Sequence, residues 1–549
     1  MSASRIARST STISLATAAS RVLGFIRDIL IAQLFGIGMQ AQAFVVAFRL
    51  PNLLRDLVGE GAITSAIVPV LSAYRSTKSP QEFWRLAHAL CMRMSVVVGI
   101  FGGVGVVLAP WLVRLIAPGF ASDPEKYALT VTLTRILFPF IALVGLWAFF
   151  MGLLNSLRHF AMPALGPATL NLAMIAGCLW FAPHVKPAVL ALAWGVMAGG
   201  LVQLLMQLPV AWRLGFRWPH HLTGFAASEP PLRGSPSASR QVVGWRVIWS
   251  HPGSHEVMRL MTPRLVGSAV HQVSVFFNTI LASLAVVAGE GAVAALYFAN
   301  RLVQLPLALF GVASAQASLP TLSEQAATQE LAAFRSTVLS VLRMVAFVTL
   351  PAAVGLIVLA HPIVQVCLER GAFDEQSTRM TAQTLSYFSV GLLAYAASKV
   401  LSHAFYALQD TRTPVKLAVE ALVVNVVLAV AFLGPLRVGG LALATALASH
   451  LNAWRLLRAL EQRLGASLLP TLLTPLARIS LASLVMGIGC WVVWKGATQA
   501  ITPLVGLPLV ITSGILLYGT SCAAIRVAEL FTALRWLARS LGIQPSSSA

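Results

Sequence analysis

The amino-acid sequence predicts an all-α integral membrane protein with about fourteen transmembrane helices, arranged as two six-helix lobes in parallel repeat plus two C-terminal helices. Hydrophobic residues make up 57% of the 549 residues and charged residues only 10%, and the mean hydropathy is +0.80. A soluble globular chain is roughly 45–50% apolar. Apolar runs such as residues 96–116 and 187–212 recur along the chain, and each can cross a hydrocarbon core of about 30 Å.

The formal net charge of +21 would suit a nucleic-acid partner, but the positions of the charges are those of membrane topology, and we predict no nucleic-acid partner. Basic residues fall in alternate connections between the apolar runs, as the positive-inside rule requires of cytoplasmic loops. We therefore predict that both termini are cytoplasmic, in agreement with an even number of spans. The basic residues assigned to the cytoplasmic side include Arg75, Lys78, Arg85, Arg158, Arg213, Arg217, Arg335, Arg412, Lys416, Arg455, Arg463, Arg526 and Arg535.

A weak internal repeat divides the runs into two lobes. Three polar residues recur at a constant offset of 254 positions, since Asn155, Arg158 and Asn171 match Gln409, Arg412 and Asn425. An even number of spans per repeat makes the lobes parallel, with a substrate site between them. A Pro-, Gly- and Ser-rich segment separates the lobes and reads as a cytoplasmic linker. The predicted boundaries are a first lobe over 1–214, the linker over 215–255, a second lobe over 256–464, and two further helices with a cytoplasmic tail over 465–549.

Several predicted membrane spans contain charged residues that lie too far inside the span to belong to a connecting loop. In the first span, Arg21 and Arg27 share one helical face with Thr17, Ser20, Gly24 and Asp28, because all recur at three- and four-residue spacing. The second, eighth and tenth spans repeat this feature. The candidate site residues are Arg21, Arg27, Arg49, Arg55, Glu60, Arg301 and Lys399.

Each arginine near the bilayer centre costs about 2.5–3.5 kcal/mol on insertion scales, so several of them argue for a function. A cavity with surplus guanidinium groups suits an anion, and their forked donors fit phosphate or carboxylate best. The alternative is structural: the arginines snorkel to the interface or form buried ion pairs with Asp28, Asp56 and Glu60.

The sequence lacks the common motifs of catalytic and metal-binding sites. It contains no P-loop, no GxSxG and no HExxH, and its five cysteines form no CxxC pair. We therefore predict a transporter that is not an enzyme and has no metal or other cofactor.

Four segments resemble the signature segments of the MurJ (MviN) family of lipid II flippases, which belongs to the MOP transporter superfamily. They are residues 20–28 (SRVLGFIRD), 47–55 (AFRLPNLLR), 59–62 (GEGA) and 409–416 (QDTRTPVK), together with Asn300-Arg301. The resemblance implies two lobes around a cationic cavity and a groove along helices thirteen and fourteen that holds the polyprenyl tail. It also implies that Arg21, Arg27, Arg55 and Arg301 are the essential cavity arginines.

The resemblance further implies a location in the bacterial inner membrane. Its expected partners are lipid II (the undecaprenyl-pyrophosphate-linked disaccharide-pentapeptide), membrane lipid and other cell-wall synthesis proteins. The chain departs from the family pattern at Gln42, Asn300 and Gln304, where relatives place acids. Some relatives bind sodium through an acid in the seventh span, but this chain has no acid over residues 267–284.

Three alternatives remain at the level of sequence. The first is a flippase for another polyprenyl-pyrophosphate oligosaccharide, which would use the same arginines. The second is a drug or cation antiporter, which would require carboxylates in its cavity. The third is a non-transporting scaffold for wall-synthesis enzymes, which would need no charged cavity.

Overall fold

The computed structural model describes residues 3–57, 63–217, 249, 251–497 and 501–540. Every regular element in these ranges is helical. The chain divides into two compact units, Met1–Gln272 and Val273–Ala549, which we call the first and the second unit. The division falls inside one long helix, α10 (Pro252–Ser283).

The helices of the first unit, in chain order, are α1 (Ala3–Phe35), α2 (Met39–Leu57), α3 (Ile63–Thr77), α4 (Pro80–Ile116), α5 (Pro124–Leu137), α6 (Phe140–Ser156), α7 (Ala161–Ala176), α8 (Val189–Leu205) and α9 (Leu208–Arg213). The π-helical turn Gly177–Phe181 extends α7. The helix that passes from the first unit to the second is α10 (Pro252–Ser283).

The helices that follow are α11 (Ala285–Ala288), α12 (Ala292–Pro306), α13 (Ala313–Ala327), α14 (Leu331–Val358), α15 (Ala360–Leu368), α16 (Glu375–Val390), α17 (Leu392–Ala407), α18 (Arg412–Leu436), α19 (Val438–Leu464), α20 (Leu469–Ala497), α21 (Pro503–Ala524) and α22 (Ala528–Ser540). The π-helical turn Leu307–Val312 joins α12 to α13.

The predicted all-α membrane fold is confirmed. Among the described residues, nine helical spans are long and apolar enough to cross a membrane, and the pair α16–α17, bent by 43°, provides a tenth. Four further helices of 19 to 33 residues, α1, α2, α10 and α19, carry polar or charged side chains along their length. They would complete the expected number, so the count of fourteen stays a prediction.

The outer faces of the long helices are apolar. On α4, Val107, Trp111 and Leu115 recur at four-residue intervals and are 69–74% exposed. Apolar surface repeated at this spacing along a whole helix forms a continuous stripe, and such stripes are covered by lipid or by another protein. A hydrocarbon environment explains them without further partners.

Local sequence explains how α4 begins and how it packs. The Ser79 side chain accepts a hydrogen bond of 3.3 Å from the backbone N–H of Glu82, and Pro80 occupies the first turn, where its missing N–H costs nothing. Further along, the backbone of Gly105 lies against the Phe138 ring so closely that no Cβ would fit. Glycine at this position therefore lets α4 approach the break between α5 and α6.

The internal repeat reappears as a shared hydrogen bond. In the first unit, Asn171 of α7 donates to the carbonyl of Ser20 on α1, at 2.9 Å. In the second unit, Asn425 of α18 donates to the Ser274 hydroxyl on α10, at 3.1 Å. Both members of each pair are related by the predicted offset of 254. Each unit therefore contains the same contact between corresponding helices, which supports the internal repeat.

The register of the repeat changes at the loop before these asparagines. Arg158 and Gln409 both adopt a left-handed backbone, with φ of 66° and 59°, and they are 251 positions apart. Because the same turn geometry occurs at both residues, the structure aligns Arg158 with Gln409 rather than with Arg412. The second unit then has three more residues than the first between this turn and its asparagine, Asn425. The predicted pairings of Asn155 with Gln409 and of Arg158 with Arg412 are wrong by these three positions.

The predicted linker lies mostly outside the described residues, but both of its ends are placed. Phe216, 1% exposed, stacks on His88 of α4, with ring centroids 4.7 Å apart. At the other end, the buried Ser254 hydroxyl accepts a hydrogen bond of 3.0 Å from Arg93 of α4. The guanidinium of Arg93 also lies 4.9 Å from the Trp249 ring. The two ends of the segment are therefore fixed on the same helix.

The last two long helices, α20 and α21, are anchored to the second unit. Tyr518 of α21 donates a hydrogen bond of 2.7 Å to the carbonyl of Phe347 on α14. Glu461, near the end of α19, accepts hydrogen bonds of 2.7 and 2.8 Å from the backbone N–H groups of Leu468 and Leu469. This buried carboxylate thereby satisfies N–H groups where α20 begins, which ties the added helices to α19.

Candidate substrate-binding site

Arg27 forms the most completely built charged cluster in the first unit. Its side chain is 5% exposed. Nη2 and Nε donate to one Asp28 carboxylate oxygen, at 2.7 and 3.0 Å, while Nη1 donates to the Asn171 carbonyl oxygen at 2.8 Å. A buried guanidinium is tolerated only when it is paired and hydrogen-bonded, and both conditions are met here.

The ion pair between Arg27 and Asp28 agrees with the structural alternative for this one residue. It does not exclude binding, because an anion can exchange with the carboxylate on the same donors. In the sequence, Asn171 stands out only as a member of the internal repeat. The signal for its role was available, since it is a polar residue in an apolar span, but its approach to Arg27 depends on the packing of α7 against α1.

Arg21 lies on the same helix as Arg27, six residues earlier, and its side chain is exposed. That separation corresponds to about 9 Å along the helix axis. Arg49 is half-buried on α2, which contacts α1. The first unit therefore brings three of the predicted basic residues onto two adjacent helices.

The side chains of Arg55 and Glu60, two predicted site residues of the second span, are not among those that the structure describes. The backbone of Arg55 belongs to the last turn of α2, but its side chain lies outside the described part of the structure. Glu60 lies outside the described residues altogether. Their roles stay predictions.

Arg301 and Lys399 belong to the second unit. Arg301 is partly exposed on α12, and its guanidinium carbon lies 5.3 Å from the centre of the Tyr297 ring one turn away. A cation over an aromatic face is stabilised electrostatically, so the ring helps to orient this arginine. Lys399 is exposed on α17, and its carbonyl oxygen lies 2.8 Å from Nδ1 of His403.

Gln42, Asn300 and Gln304, the positions at which the resemblance predicts acids, differ in environment. Gln42 is buried on α2, and its Nε2 has no hydrogen-bond partner among the described residues. Asn300 and Gln304 are exposed on α12, on either side of Arg301. None of the three carries charge, so none of them can form an ion pair with an arginine.

A neutral polar cluster occupies the corresponding region of the second unit. Asn425 donates to Ser274, and Asn278 donates to the Thr445 hydroxyl at 3.1 Å. Within the described chain, the Oδ1 atoms of both asparagines are buried without a hydrogen-bond partner. No acid belongs to this set, and the described residues contain no group of three or more His, Cys, Asp or Glu that could hold a metal.

The small residues of α20 serve close helix packing. A Cβ placed on Gly487 would meet Val354 of α14 at 2.5 Å, and Gly489 lies directly against Leu517 of α21. Gly487 is therefore on a packed face and not on an open one. The exposed large apolar side chains of the described part of α20 are Leu473, Leu481, Leu484, Val485, Ile488, Trp491 and Val492.

Comparisons with known proteins agree with one another. The sequence matches the family described as "Lipid II flippase MurJ" over residues 31–505. The lipid II flippase MurJ of Burkholderia cenocepacia is 34% identical over 453 residues, covering 82% of this chain and 83% of the relative. The probable lipid II flippase MurJ of Vibrio cholerae is 32% identical, covering 91% and 93%.

Solved structures show the same fold. A lipid II flippase MurJ in an inward closed conformation superposes with a TM-score of 0.76 at 24% identity, covering 94% of this chain and 99% of that one. An inward-facing multidrug resistance MATE family transporter of the MOP superfamily superposes with a TM-score of 0.63 at 15% identity, covering 81% and 94%. The family suggested by the sequence segments is thus confirmed, and the chain belongs to the lipid II flippase MurJ family.

Proposed function

We propose that this protein is a lipid II flippase, which moves the undecaprenyl-pyrophosphate-linked peptidoglycan precursor from the inner to the outer leaflet of the bacterial cytoplasmic membrane. The observation that carries the proposal is membership of the family over residues 31–505. The proposed topology is multi-pass with both termini in the cytoplasm, and other cell-wall synthesis proteins are its proposed partners.

The head group is recognised, in this proposal, through its pyrophosphate. Arg21, Arg27, Arg49, Arg55 and Arg301 supply the guanidinium donors, and Glu60 and Lys399 adjust the charge around them. A pyrophosphate offers several oxygens to such forked donors, which no neutral sugar or peptide group does. The accessible surface of Arg21 and the aromatic support of Arg301 favour these two as residues of first contact.

The lipid tail stays in the hydrocarbon while the head group moves by alternating access. Transfer of the tail to water would cost about 0.8 kcal/mol per methylene, so a lipid-facing surface beside the head-group site is needed. We assign this surface to the exposed face of α20, which includes Leu484, Ile488 and Trp491. The membrane potential, negative inside, favours outward movement of an anion by ~2.3 kcal/mol per charge per 100 mV.

Two rival functions are distinguished by the same experiment. A flippase for another polyprenyl-pyrophosphate oligosaccharide would share the arginines but not the substrate, and a scaffold would move no lipid. The test is depletion of the protein in its native bacterium, followed by measurement of the leaflet in which lipid II accumulates. We expect accumulation in the cytoplasmic leaflet within about one generation. Normal exposure of lipid II on the outer leaflet after complete depletion would refute the proposal.

A purified chain reconstituted in vesicles gives the second arm of the test. Labelled lipid II placed in one leaflet should become accessible in the other, and a glycan-linked undecaprenyl pyrophosphate of different sugar composition should move more slowly. Equal rates for both substrates would instead support the broader oligosaccharide flippase.

A further inference from the structure

The guanidinium of Arg27 has two kinds of partner on two sides. The edge formed by Nε and Nη2 is taken by a single Asp28 oxygen, at 3.0 and 2.7 Å. The remaining Nη1 donates to the neutral amide of Asn171, at 2.8 Å, and more weakly to the sulfur of Met174, at 3.9 Å. The acid and the amide therefore restrain different parts of the same planar group.

The Nε–Nη2 edge is one that binds oxyanions well, because its two parallel N–H groups match the spacing of carboxylate or phosphate oxygens. The Asp28 carboxylate oxygen thus occupies the place that a phosphate oxygen would take. Carboxylate and phosphate are both anions that accept hydrogen bonds from guanidinium N–H groups, so one can replace the other while the guanidinium keeps its orientation.

Asn171 is itself held in place from the opposite direction. The residue is 7% exposed, and its Nδ2 donates to the Ser20 carbonyl at 2.9 Å. Ser20 and Arg27 lie about two turns apart on α1. A single amide on α7 therefore bridges two positions of α1 and fixes the Nη1 end of Arg27 relative to that helix.

We propose that Asn171 is a positioning residue for substrate pyrophosphate. It retains Nη1 of Arg27 while Asp28 leaves the Nε–Nη2 edge and a pyrophosphate oxygen takes the vacated position. The inference rests on the proposed function, because that function makes a polyprenyl pyrophosphate the ligand of Arg27.

The repeat provides a matched control. Asn425 makes the corresponding interhelical hydrogen bond, to Ser274, and is 2% exposed. The residues at the repeat positions of Arg27 and Asp28 are Leu281 and Ala282. Asn425 is not among the hydrogen-bond partners described for Arg27, so replacing it removes the same kind of contact between helices and leaves those partners in place.

The test measures binding of undecaprenyl pyrophosphate to the full chain in lipid nanodiscs, by native mass spectrometry. Asn171→Ala should weaken binding about tenfold, equivalent to about 1.4 kcal/mol, because Arg27 loses its orientation. Asp28→Asn should strengthen binding at least about threefold, since the competing negative charge is gone. Asn425→Ala should bind within about twofold of the wild type.

The opposite signs separate positioning from mere stability. General destabilisation would lower binding in all three variants, and thermal unfolding measured in parallel identifies any variant that fails to fold. If Asn171→Ala does not fold, Asp28→Asn still tests the exchange. Wild-type affinity in a folded Asn171→Ala variant, or weaker binding in Asp28→Asn, would overturn the inference.

A further variant separates this result from the proposed function. Arg27→Ala should lose most of the binding. If Arg27→Ala loses binding while Asn171→Ala retains it, only the positioning role is wrong. If the wild type binds no undecaprenyl pyrophosphate and moves no lipid II, the proposed function itself fails.

Discussion

The two units build the same contact between helices and use it for different purposes. Asn171 and Asn425 both tie a later helix to the first helix of their unit. The charges of the first unit have no counterpart at the matching positions of the second, since Val275, Leu281 and Ala282 stand at the repeat positions of Arg21, Arg27 and Asp28. The two units therefore share the hydrogen bond between helices but not the charged residues beside it.

One buried acid in each unit, Asp28 in the first and Glu461 in the second, also serves a different purpose. Asp28 lies beside a guanidinium that we assign to the substrate, whereas Glu461 accepts backbone hydrogen bonds at the start of α20. One acid balances the charge of a site, and the other fixes a helix. Replacing each acid and its partners should therefore change different properties of the protein.

The largest effect is expected from making the first unit like the second. Arg27→Ala alone leaves Asp28 buried without this partner, which should cost about 3–5 kcal/mol and lower expression. The double variant Arg27→Ala/Asp28→Ala should recover expression, because it removes the charge together with its partner, but it should not move lipid II. Leu281→Ala, at the repeat position of Arg27 in the second unit, is the control for stability: it should lower stability by leaving a cavity, but the protein that folds should still move lipid II. Growth of a depleted strain on the double variant would show that the charged stripe is dispensable.

An intermediate effect is expected at Glu461. Glu461→Ala removes two hydrogen bonds to backbone N–H groups at the start of α20 and should destabilise the second unit by about 2 kcal/mol. Thermal unfolding in nanodiscs measures this change, and binding of undecaprenyl pyrophosphate should stay within about twofold of the wild type. Tyr518→Phe, which loses one hydrogen bond to α14, should cost less, about 1 kcal/mol. Strongly impaired binding in Glu461→Ala would contradict the division between the two acids.

The smallest effect concerns a turn that differs between the units. Asp410 accepts hydrogen bonds from the backbone and hydroxyl of Thr413 and from the backbone of Arg412, which hold the pKa of its carboxyl below the usual value. His159 stands at the corresponding position of the first unit. Asp410→Ala should therefore lower stability by about 1 kcal/mol at neutral pH.

This contribution depends on pH in a defined direction. A depressed pKa stabilises the folded state above the unfolded pKa of about 3.9, and the contribution is lost as the pH falls through the folded value. The difference between wild type and Asp410→Ala should thus be constant from about pH 6 to 8 and shrink below about pH 4. A difference that persists undiminished in acid would show that the carboxylate charge is not involved.

The fold could be predicted because long apolar runs have few solutions in lipid. The family could be predicted because residues 20–28 and 47–55 combine arginine with apolar neighbours in an unusual order. The contacts of Arg27 could not, since a charged face at helical spacing fits equally well with an acid on the same helix or with a ligand. Asn171 shows the limit clearly: its place in the repeat was visible, but its partners depend on the angle at which α7 crosses α1.

The glycines of α20 show a second limit. Small residues in a membrane span permit either a shallow groove or close packing, and the sequence alone favours neither. The contacts of Gly487 with Val354 and of Gly489 with Leu517 show packing at these two positions. Tests of tail binding therefore belong at exposed positions such as Leu484 and Ile488, where a larger side chain need not disturb α14.

The two anchored ends of the predicted linker have a practical consequence. Phe216 and Ser254 contact His88 and Arg93, which are five residues apart on α4 and so separated by about 7.5 Å along its axis. The chain leaves this helix and returns to it within about one and a half turns. A folded reporter whose own termini lie close together could be inserted between residues 218 and 248 at a small cost in loop entropy. Such a fusion would allow the flippase to be followed in living cells while α1 and its arginines stay untouched.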